Sequence, residues 1–194
     1  MAVSRDVRHM RLVVIASLAA ALACAAAGAS EIDTTRSHFE FGLQTRWGKT
    51  VAGRFPRADG DVVLLADGRR QVHLQLDARA VEIVGSRRYT EFSRGEKFFD
   101  AARHPRIEFV SDPYPEALLR SGGDLAGQLT LRGVSRREVF VIAPATCARP
   151  LHDCDVIARG SVRREHYGMG AYDYLLHNRV QFSLNVRLRP QDGA

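Results

Sequence analysis

The length, composition and charge of the chain indicate one domain and exclude several classes of protein. It has 194 residues, of which 45% are hydrophobic and 26% are charged, with a formal net charge of +6 at pH 7. This length suits a single globular domain. The basic residues are scattered and never form a run of five or more, so the sequence does not indicate a nucleic-acid-binding surface.

Residues 1–29 have the features of a secretory signal peptide. Three arginines precede an apolar run at residues 12–27, and the segment ends in the small-x-small sequence Ala27-Gly28-Ala29. The run has about 16 residues, fewer than the roughly 20 that a membrane-spanning helix needs. We therefore predict export, with cleavage before Ser30. A lipoprotein anchor at Cys24, which follows a loose match to a lipobox, is the alternative.

The mature chain, residues 30–194, consists mostly of segments in which apolar and polar residues alternate. This period of two is typical of strands with one buried face. It is clearest at His38–Gln44, Gln71–Asp77 and Val180–Leu188, and less regular at residues 50–66, 106–112, 124–132, 137–146 and 155–165. Together these segments predict an all-β fold of about eight strands, arranged as an antiparallel up-and-down barrel.

Glycines and two helical segments complete the predicted architecture. Gly53, Gly60, Gly127 and Gly160 fall inside or beside strands, where a sheet needs bends or bulges to curl. Helical spacing predicts one connection over residues 88–99, packed against the barrel. A second short helix is predicted over 115–120, because it begins with a proline and is followed by Ser-Gly-Gly. No segment marks a second domain.

The mature chain keeps two cysteines, Cys147 and Cys154. An exported protein meets an oxidising compartment, which favours a disulfide between them. The alternative is a metal site in which His152 joins the two thiols, although a structural zinc site normally needs four ligands.

Motifs for catalysis are absent from the sequence, which has no phosphate-binding glycine loop, zinc-binding paired-histidine helix or nucleophile elbow. The most interesting histidines, His166 and His177, flank a loop that runs from Tyr167 to Tyr172 near one barrel mouth. Spacing assigns them no nucleophile or carboxylate partner, so we interpret them as a polar rim. We predict a protein without enzymatic activity or cofactor. A catalyst or metal carrier using His152, His166 or His177 is the alternative.

Two segments carry a resemblance to a known family. Gly95–Phe109 contains Phe98-Phe99-Asp100 followed by Pro-Arg-Ile-Glu-Phe, and Gly127–Ser135 reads Gly-Gln-Leu-Thr-Leu-Arg-Gly-Val-Ser. In this order and spacing they resemble the signature of the YceI-like family, periplasmic proteins with a lipocalin-like barrel that carry polyisoprenoid lipids. The chain departs from the family pattern at residues 87–92 and 162–168. Both departures lie in loops or at the barrel mouth, where head-group contacts would be made.

The resemblance implies a periplasmic carrier of a polyisoprenoid, such as a quinone or prenyl lipid, or of another long apolar lipid. Its candidate ligand-binding residues are the apolar residues that face inward, with Phe98 and Phe99 as a wall or lid: Phe39, Phe41, Leu74, Leu76, Phe98, Phe99, Ile107, Phe109, Leu129, Leu131, Phe182 and Leu184. Contact with anionic membranes and a homodimer remain open as further interactions. The alternative is a stress-related interaction protein whose barrel is filled by its own side chains.

Overall fold

A computed structural model describes residues 28–190 of the protein, so the predicted signal peptide lies almost wholly outside the described residues, as does Cys24. The described residues form eleven strands and two α-helices. The strands are β1 (Ala29–Glu31), β2 (His38–Thr45), β3 (Thr50–Arg54), β4 (Ala58–Leu64), β5 (Arg70–Asp77), β6 (Glu82–Ile83), β7 (Arg106–Ser111), β8 (Gly123–Leu131), β9 (Val134–Ile142), β10 (Val156–Arg163) and β11 (Leu176–Val186). The helices are α1 (Arg87–Arg94) and α2 (Ala117–Ser121).

The strands form one curled antiparallel sheet, a half-barrel in shape, in the order β1-β4-β5-β7-β8-β9-β10-β11-β2-β3-β6. The first and last parts of the described residues are hydrogen-bonded to each other. The Asp33 amide donates to the Arg187 carbonyl at 2.8 Å, and the Arg189 amide donates to the Glu31 carbonyl at 2.9 Å. The prediction of an all-β, antiparallel fold is confirmed.

The predicted number of about eight strands is wrong, because β1 and β6 lie outside the predicted segments and the predicted segment 50–66 is broken into β3 and β4. β1 and β2 are separated by a turn in which the Asp33 carboxylate accepts hydrogen bonds from the Thr35 amide at 3.0 Å and hydroxyl at 2.6 Å. β3 and β4 are separated at residues 55–57, where Pro56 has no amide hydrogen to donate to a ladder. The two-residue strand β6, paired with β3, brings the number to eleven.

Both helical connections exist, but the first is shorter than predicted. The Ser86 hydroxyl caps α1 by accepting from the Tyr89 amide at 3.2 Å, and the helix ends before Gly95, whose backbone is extended. The residues that follow form turns that lead into β7. α2 occupies Ala117–Ser121, close to the predicted segment. Within residues 28–190 no helix is long and apolar enough to cross a bilayer.

The predicted alternation places the core correctly. On β2, Phe39, Phe41 and Leu43 are buried while the residues between them are mostly exposed, and on β11 Val180 and Leu184 are buried. Inward-facing apolar residues from most strands form one continuous core cluster. Its burial supplies the main driving force for the fold.

Two glycines predicted inside strands make room for phenylalanine rings. A Cβ atom on Gly53 would lie 2.2 Å from Cζ of Phe41, and one on Gly160 would lie 2.6 Å from Cδ1 of Phe140. In both cases the glycine sits directly opposite the phenylalanine in the ladder. The rings therefore lie flat on the sheet, which lets large side chains fill a narrow interior.

The connections gather at two ends of the sheet. We call one the α1 end; it contains residues 46–49, 84–105, 132–133 and 164–175. We call the other the disulfide end; it contains residues 65–69, 112–122 and 143–155. A disulfide joins Cys147 to Cys154, with an S–S distance of 2.10 Å, as predicted.

Candidate functional site

An apolar cavity of about 60 Å³ lies inside the sheet, towards the disulfide end. Fifteen residues line it, and none of them carries a charge. Its walls come from inward-facing residues of the strands, among them Leu74 of β5, Phe109 of β7 and Leu184 of β11. These three were predicted to line a ligand slot, and the structure brings them together around one space.

The floor of the cavity is made by side chains outside the strands. Tyr114 and Leu119 come from the α2 connection and Leu151 from the disulfide loop, and each is 4% exposed. The Leu151 amide donates to the Cys154 carbonyl at 3.0 Å, which fixes the loop under the cavity. Burial raises the pKa of Tyr114 to about 12. The floor is therefore buried and mostly apolar.

Four phenylalanine rings fill the interior at the α1 end. The ring of Phe41 lies 5.3 Å from that of Phe55, 5.8 Å from that of Phe99 and 6.2 Å from that of Phe182. Phe55 and Phe99 are 5.6 Å apart in an edge-to-face arrangement, a favourable geometry for aromatic pairs. We call these four rings the aromatic plug, because they occupy the interior between the cavity and the α1 end.

The remaining predicted ligand-binding residues occupy three kinds of position. Phe41, Phe99 and Phe182 belong to the aromatic plug, and five are buried elsewhere in the core: Phe39, Leu76, Ile107, Leu129 and Leu131. Phe98 lies outside the plug, where its ring stacks on that of Tyr172 at 5.9 Å. Of the predicted wall formed by Phe98 and Phe99, only Phe99 faces the interior. Contact of any of these residues with a ligand stays a prediction.

The two signature segments meet at the α1 end through Arg132. Its guanidinium donates to the Glu96 carbonyl at 3.1 Å and to the Gly168 carbonyl. Gly133 has a φ of 72°, and a Cβ there would lie 3.3 Å from Cε1 of His104. Both the backbone angle and the close approach of His104 favour glycine at this position. Arg132 and Gly133 therefore hold the connections at this end together.

The sequence analysis missed the most buried charge at the α1 end, Arg164, which is 2% exposed. Its guanidinium donates to the carbonyls of Met169 and Ala171 and, at 3.1 Å, to that of His177. Burial lowers the pKa of this guanidinium. Arg164 thus holds the 169–177 loop in place from beneath. An arginine within a predicted strand-to-loop boundary was the only sequence signal for it.

The alternative of a catalyst or metal carrier named His152, His166 and His177, which lie on different connections or strands. His166 is exposed, and its Nε2 lies 4.0 Å from the Glu165 carboxylate. His177 contributes its backbone carbonyl to Arg164. The sulfurs on either side of His152 are bonded to each other and so are not two free thiolates. Within residues 28–190 no three histidine, cysteine or acidic side chains are grouped to hold a metal ion.

Comparison with known proteins identifies relatives of this fold. A family model described as the YceI-like domain matches residues 31–188. Among solved structures, the chain is similar to BcnA of Burkholderia cenocepacia, with a TM-score of 0.66 and 16% identity over 80% of this chain and 98% of that one. No curated protein matched the sequence.

Two further solved structures have the same fold. A polyisoprenoid-binding domain from Saccharophagus degradans, implicated in plant cell wall breakdown, has a TM-score of 0.58 and 16% identity over 84% of this chain and 99% of that one. A YCEI protein from Campylobacter jejuni has a TM-score of 0.56 and 14% identity over 72% of this chain and 85% of that one. At these identities the similarity shows a shared fold.

Proposed function

The chain belongs to the YceI-like family, whose domain spans residues 31–188, and on that premise we propose that it is a periplasmic carrier of a long apolar lipid. The observation that carries the proposal is the uncharged cavity inside the sheet, with its apolar walls and floor. The similar domain from Saccharophagus degradans is described as polyisoprenoid-binding. A polyisoprenoid, such as a quinone or prenyl lipid, is therefore the ligand we propose, held within one domain of residues 30–194.

The size of the cavity requires it to widen when a lipid binds. Its volume is about 60 Å³, whereas an engineered protein cavity that holds benzene has about 150 Å³. A chain of tens of carbons needs several times that space. We expect the widening at the floor, because Leu119 belongs to a connection outside the strand ladders.

The binding energy that such a chain supplies is sufficient for this opening. Each buried methylene contributes about 0.8 kcal/mol, so twenty methylenes supply on the order of 16 kcal/mol before the costs of association and ordering. No charged residue inside the sheet is needed for this attraction. Chain length, more than head group, would then set the affinity.

The small volume also favours a second candidate function. The aromatic plug and the close-packed core leave an interior that is mostly filled by the protein itself. A filled barrel would instead serve as a scaffold for interactions with another protein. Under this alternative, neither a bound lipid nor stabilisation by added lipid is expected.

Extraction of freshly purified, exported protein with organic solvent, followed by mass spectrometry of the extract, tests the carrier function. We expect a long apolar lipid in a fixed ratio to protein. A quinone added to delipidated protein at 100 times its dissociation constant should stabilise the fold by about 2.7 kcal/mol. An empty extract together with an unchanged melting temperature would refute the proposal and support the filled barrel.

Intact mass of the protein from the periplasmic fraction tests the proposed location. We expect a chain that begins at Ser30 with Cys147 bonded to Cys154. A mass that includes a diacylglyceryl group on Cys24 would make it a lipoprotein, and recovery of the full-length chain from the cytoplasm would refute export.

A further inference from the structure

A set of exposed and half-buried aromatic side chains lies at the α1 end, outside the core. We call Trp47, Phe92, Phe98, Tyr172 and Tyr174 the aromatic rim. Phe92 and Tyr172 lie 5.3 Å apart, Phe98 and Tyr172 5.9 Å apart, and Tyr172 and Tyr174 6.4 Å apart, measured between ring centroids. Trp47 is 65% exposed, Phe92 47% and Tyr174 70%. Large aromatic residues that face solvent together are unusual unless they serve an interaction.

Hydrogen bonds from Arg46 bring the neighbouring Trp47 to the same end as the other rings. The Arg46 amide donates to the Leu175 carbonyl at 2.9 Å, and Nε of Arg46 donates to the Asp173 carbonyl at 3.1 Å. The turn that carries Trp47 is therefore joined to the loop that carries Tyr174. Three separate connections, those after β2, β6 and β10, each contribute aromatic residues to this one surface.

Positive charges accompany the rim. Lys49 and Lys97, the only lysines in the chain, both lie in connections at the α1 end, and both are exposed, as is Arg88. Among the ion pairs of residues 28–190, none involves any of these three cations. Of the acidic residues beside the rim, Glu91 and Glu96 are each paired with an arginine, whereas the exposed Asp173 is in none of the ion pairs of the described residues and offsets one of the three cations. The surface thus offers unpaired positive charge beside exposed aromatic rings.

We propose that the aromatic rim docks on an anionic phospholipid membrane. Tryptophan and tyrosine prefer the boundary between headgroups and acyl chains, because each has an apolar ring and a polar tip. Lysine and arginine next to them are attracted to anionic headgroups. A protein partner would more often meet a closely packed apolar patch with few lysines. The proposal goes beyond lipid carriage, since docking needs no cargo in the cavity.

Trp47 makes this docking directly measurable, because it is the only tryptophan in the chain. Its fluorescence is recorded while vesicles of phosphatidylcholine alone, or of phosphatidylcholine with phosphatidylglycerol, are added to the mature protein. We expect a blue shift with the anionic vesicles, quenching by brominated acyl chains, and reversal by high salt, because salt screens surface charge. No spectral change with either vesicle overturns the proposal, as does an equal, salt-independent change with both.

Matched variants, compared by co-sedimentation with vesicles, test whether binding depends on the cations beside the rim or on cations elsewhere on the surface. Replacing Lys49 and Lys97 by serine should lower the partition coefficient by about 25-fold, at about fivefold for each cation near an anionic surface. Arg120→Ser, an exposed cation at the disulfide end, is the matched control and should have little effect. An equal loss in the control overturns the assignment to the rim.

A second pair of variants tests the aromatic rings. Tyr174→Ser should weaken vesicle binding, whereas Val141→Ser, an exposed apolar residue on the outer face of β9, should not. The alternative is that the rim is a contact between two copies of the protein. In that case the Trp47 fluorescence would shift to the blue with rising protein concentration in the absence of vesicles, and analytical ultracentrifugation would show a dimer. That result would overturn membrane docking. Failure here is distinguishable from failure of the carrier function, which is read from extracted lipid.

Discussion

Replacing Leu184 by phenylalanine tests whether the cavity is the lipid site. Leu184 lines the cavity and lies opposite Ala158 of β10 and Phe39 of β2. A larger side chain here enters the space that the ligand would use. Phenylalanine adds volume without a polar atom and without a second tryptophan, so the fluorescence of Trp47 stays interpretable.

The expected cost to stability is small. About 40 Å² of added ring surface, at roughly 25 cal/mol/Å², contributes about 1 kcal/mol, while overpacking costs about 1 to 3 kcal/mol. The net loss is therefore about 0 to 2 kcal/mol, or a melting temperature lower by at most about 8 °C for a domain of this size. The effect on binding is larger. If the ring displaces about two methylenes of the ligand, the lost contact is about 1.6 kcal/mol, a roughly 15-fold loss in affinity.

Lipid content and stability are measured on the same preparations. The Leu184→Phe protein should be folded but depleted of extractable lipid. Val141→Phe, on the outer face of β9 where Val141 is 53% exposed, is the control and should retain both lipid and stability. Full lipid content in folded Leu184→Phe protein would refute the assignment of the cavity as the binding site.

Three further predictions concern the floor, the disulfide and the loop at the α1 end. Because burial raises the pKa of Tyr114 from about 10 in the unfolded chain to about 12, the stability linked to this group is complete below pH 10 and lost as the pH rises through 12. Urea unfolding at pH 9 and pH 11.5 should show a loss of about 2 kcal/mol from this residue. The loss should be smaller in Tyr114→Phe, and an identical pH dependence in that variant contradicts the assignment. Reduction of Cys147–Cys154 should cost about 2 to 3 kcal/mol for so short a loop, and equal urea midpoints with and without reductant would show that the disulfide contributes nothing. Arg164→Leu leaves several buried carbonyls without a donor and should lower the free energy of unfolding by about 3 kcal/mol. The control Arg163→Leu, at an exposed position, should lower it by less than about 0.5 kcal/mol. Comparable losses of stability in thermal unfolding of the two variants would argue against the role of Arg164.

The strands could be predicted from the sequence because one face of the sheet is buried. Alternation in His38–Gln44 and Val180–Leu188 specifies which side chains turn inward, and the structure follows it. The break at residues 55–57 was missed, since it depends on a proline within a segment that still reads as extended. The short strands β1 and β6 were missed because two or three residues are too few to show alternation. Two cysteines seven positions apart sufficed for the disulfide.

The candidate site was less predictable, because it depends on which way side chains point within turns. Phe98 and Phe99 are adjacent in a turn, where alternation gives no rule for which of them points inward. The volume of the cavity depends on how rings such as Phe140 lie over Gly160, a contact set by the register between β9 and β10, which the sequence does not give. The aromatic rim combines three connections, and its only sequence signal was the presence of Trp47, Tyr172 and Tyr174 outside the alternating segments.

The adjacency of Phe98 and Phe99 gives the protein a mechanical link between its surface and its interior. Phe98 stacks on Tyr172 in the rim, while Phe99 packs against Phe41 in the plug. Their Cα atoms are held about 3.8 Å apart by one planar peptide unit. A movement of the Phe98 backbone along the line that joins the two Cα atoms therefore displaces Phe99 as well. Contact at the surface is thereby coupled to the packing of the interior through one peptide unit.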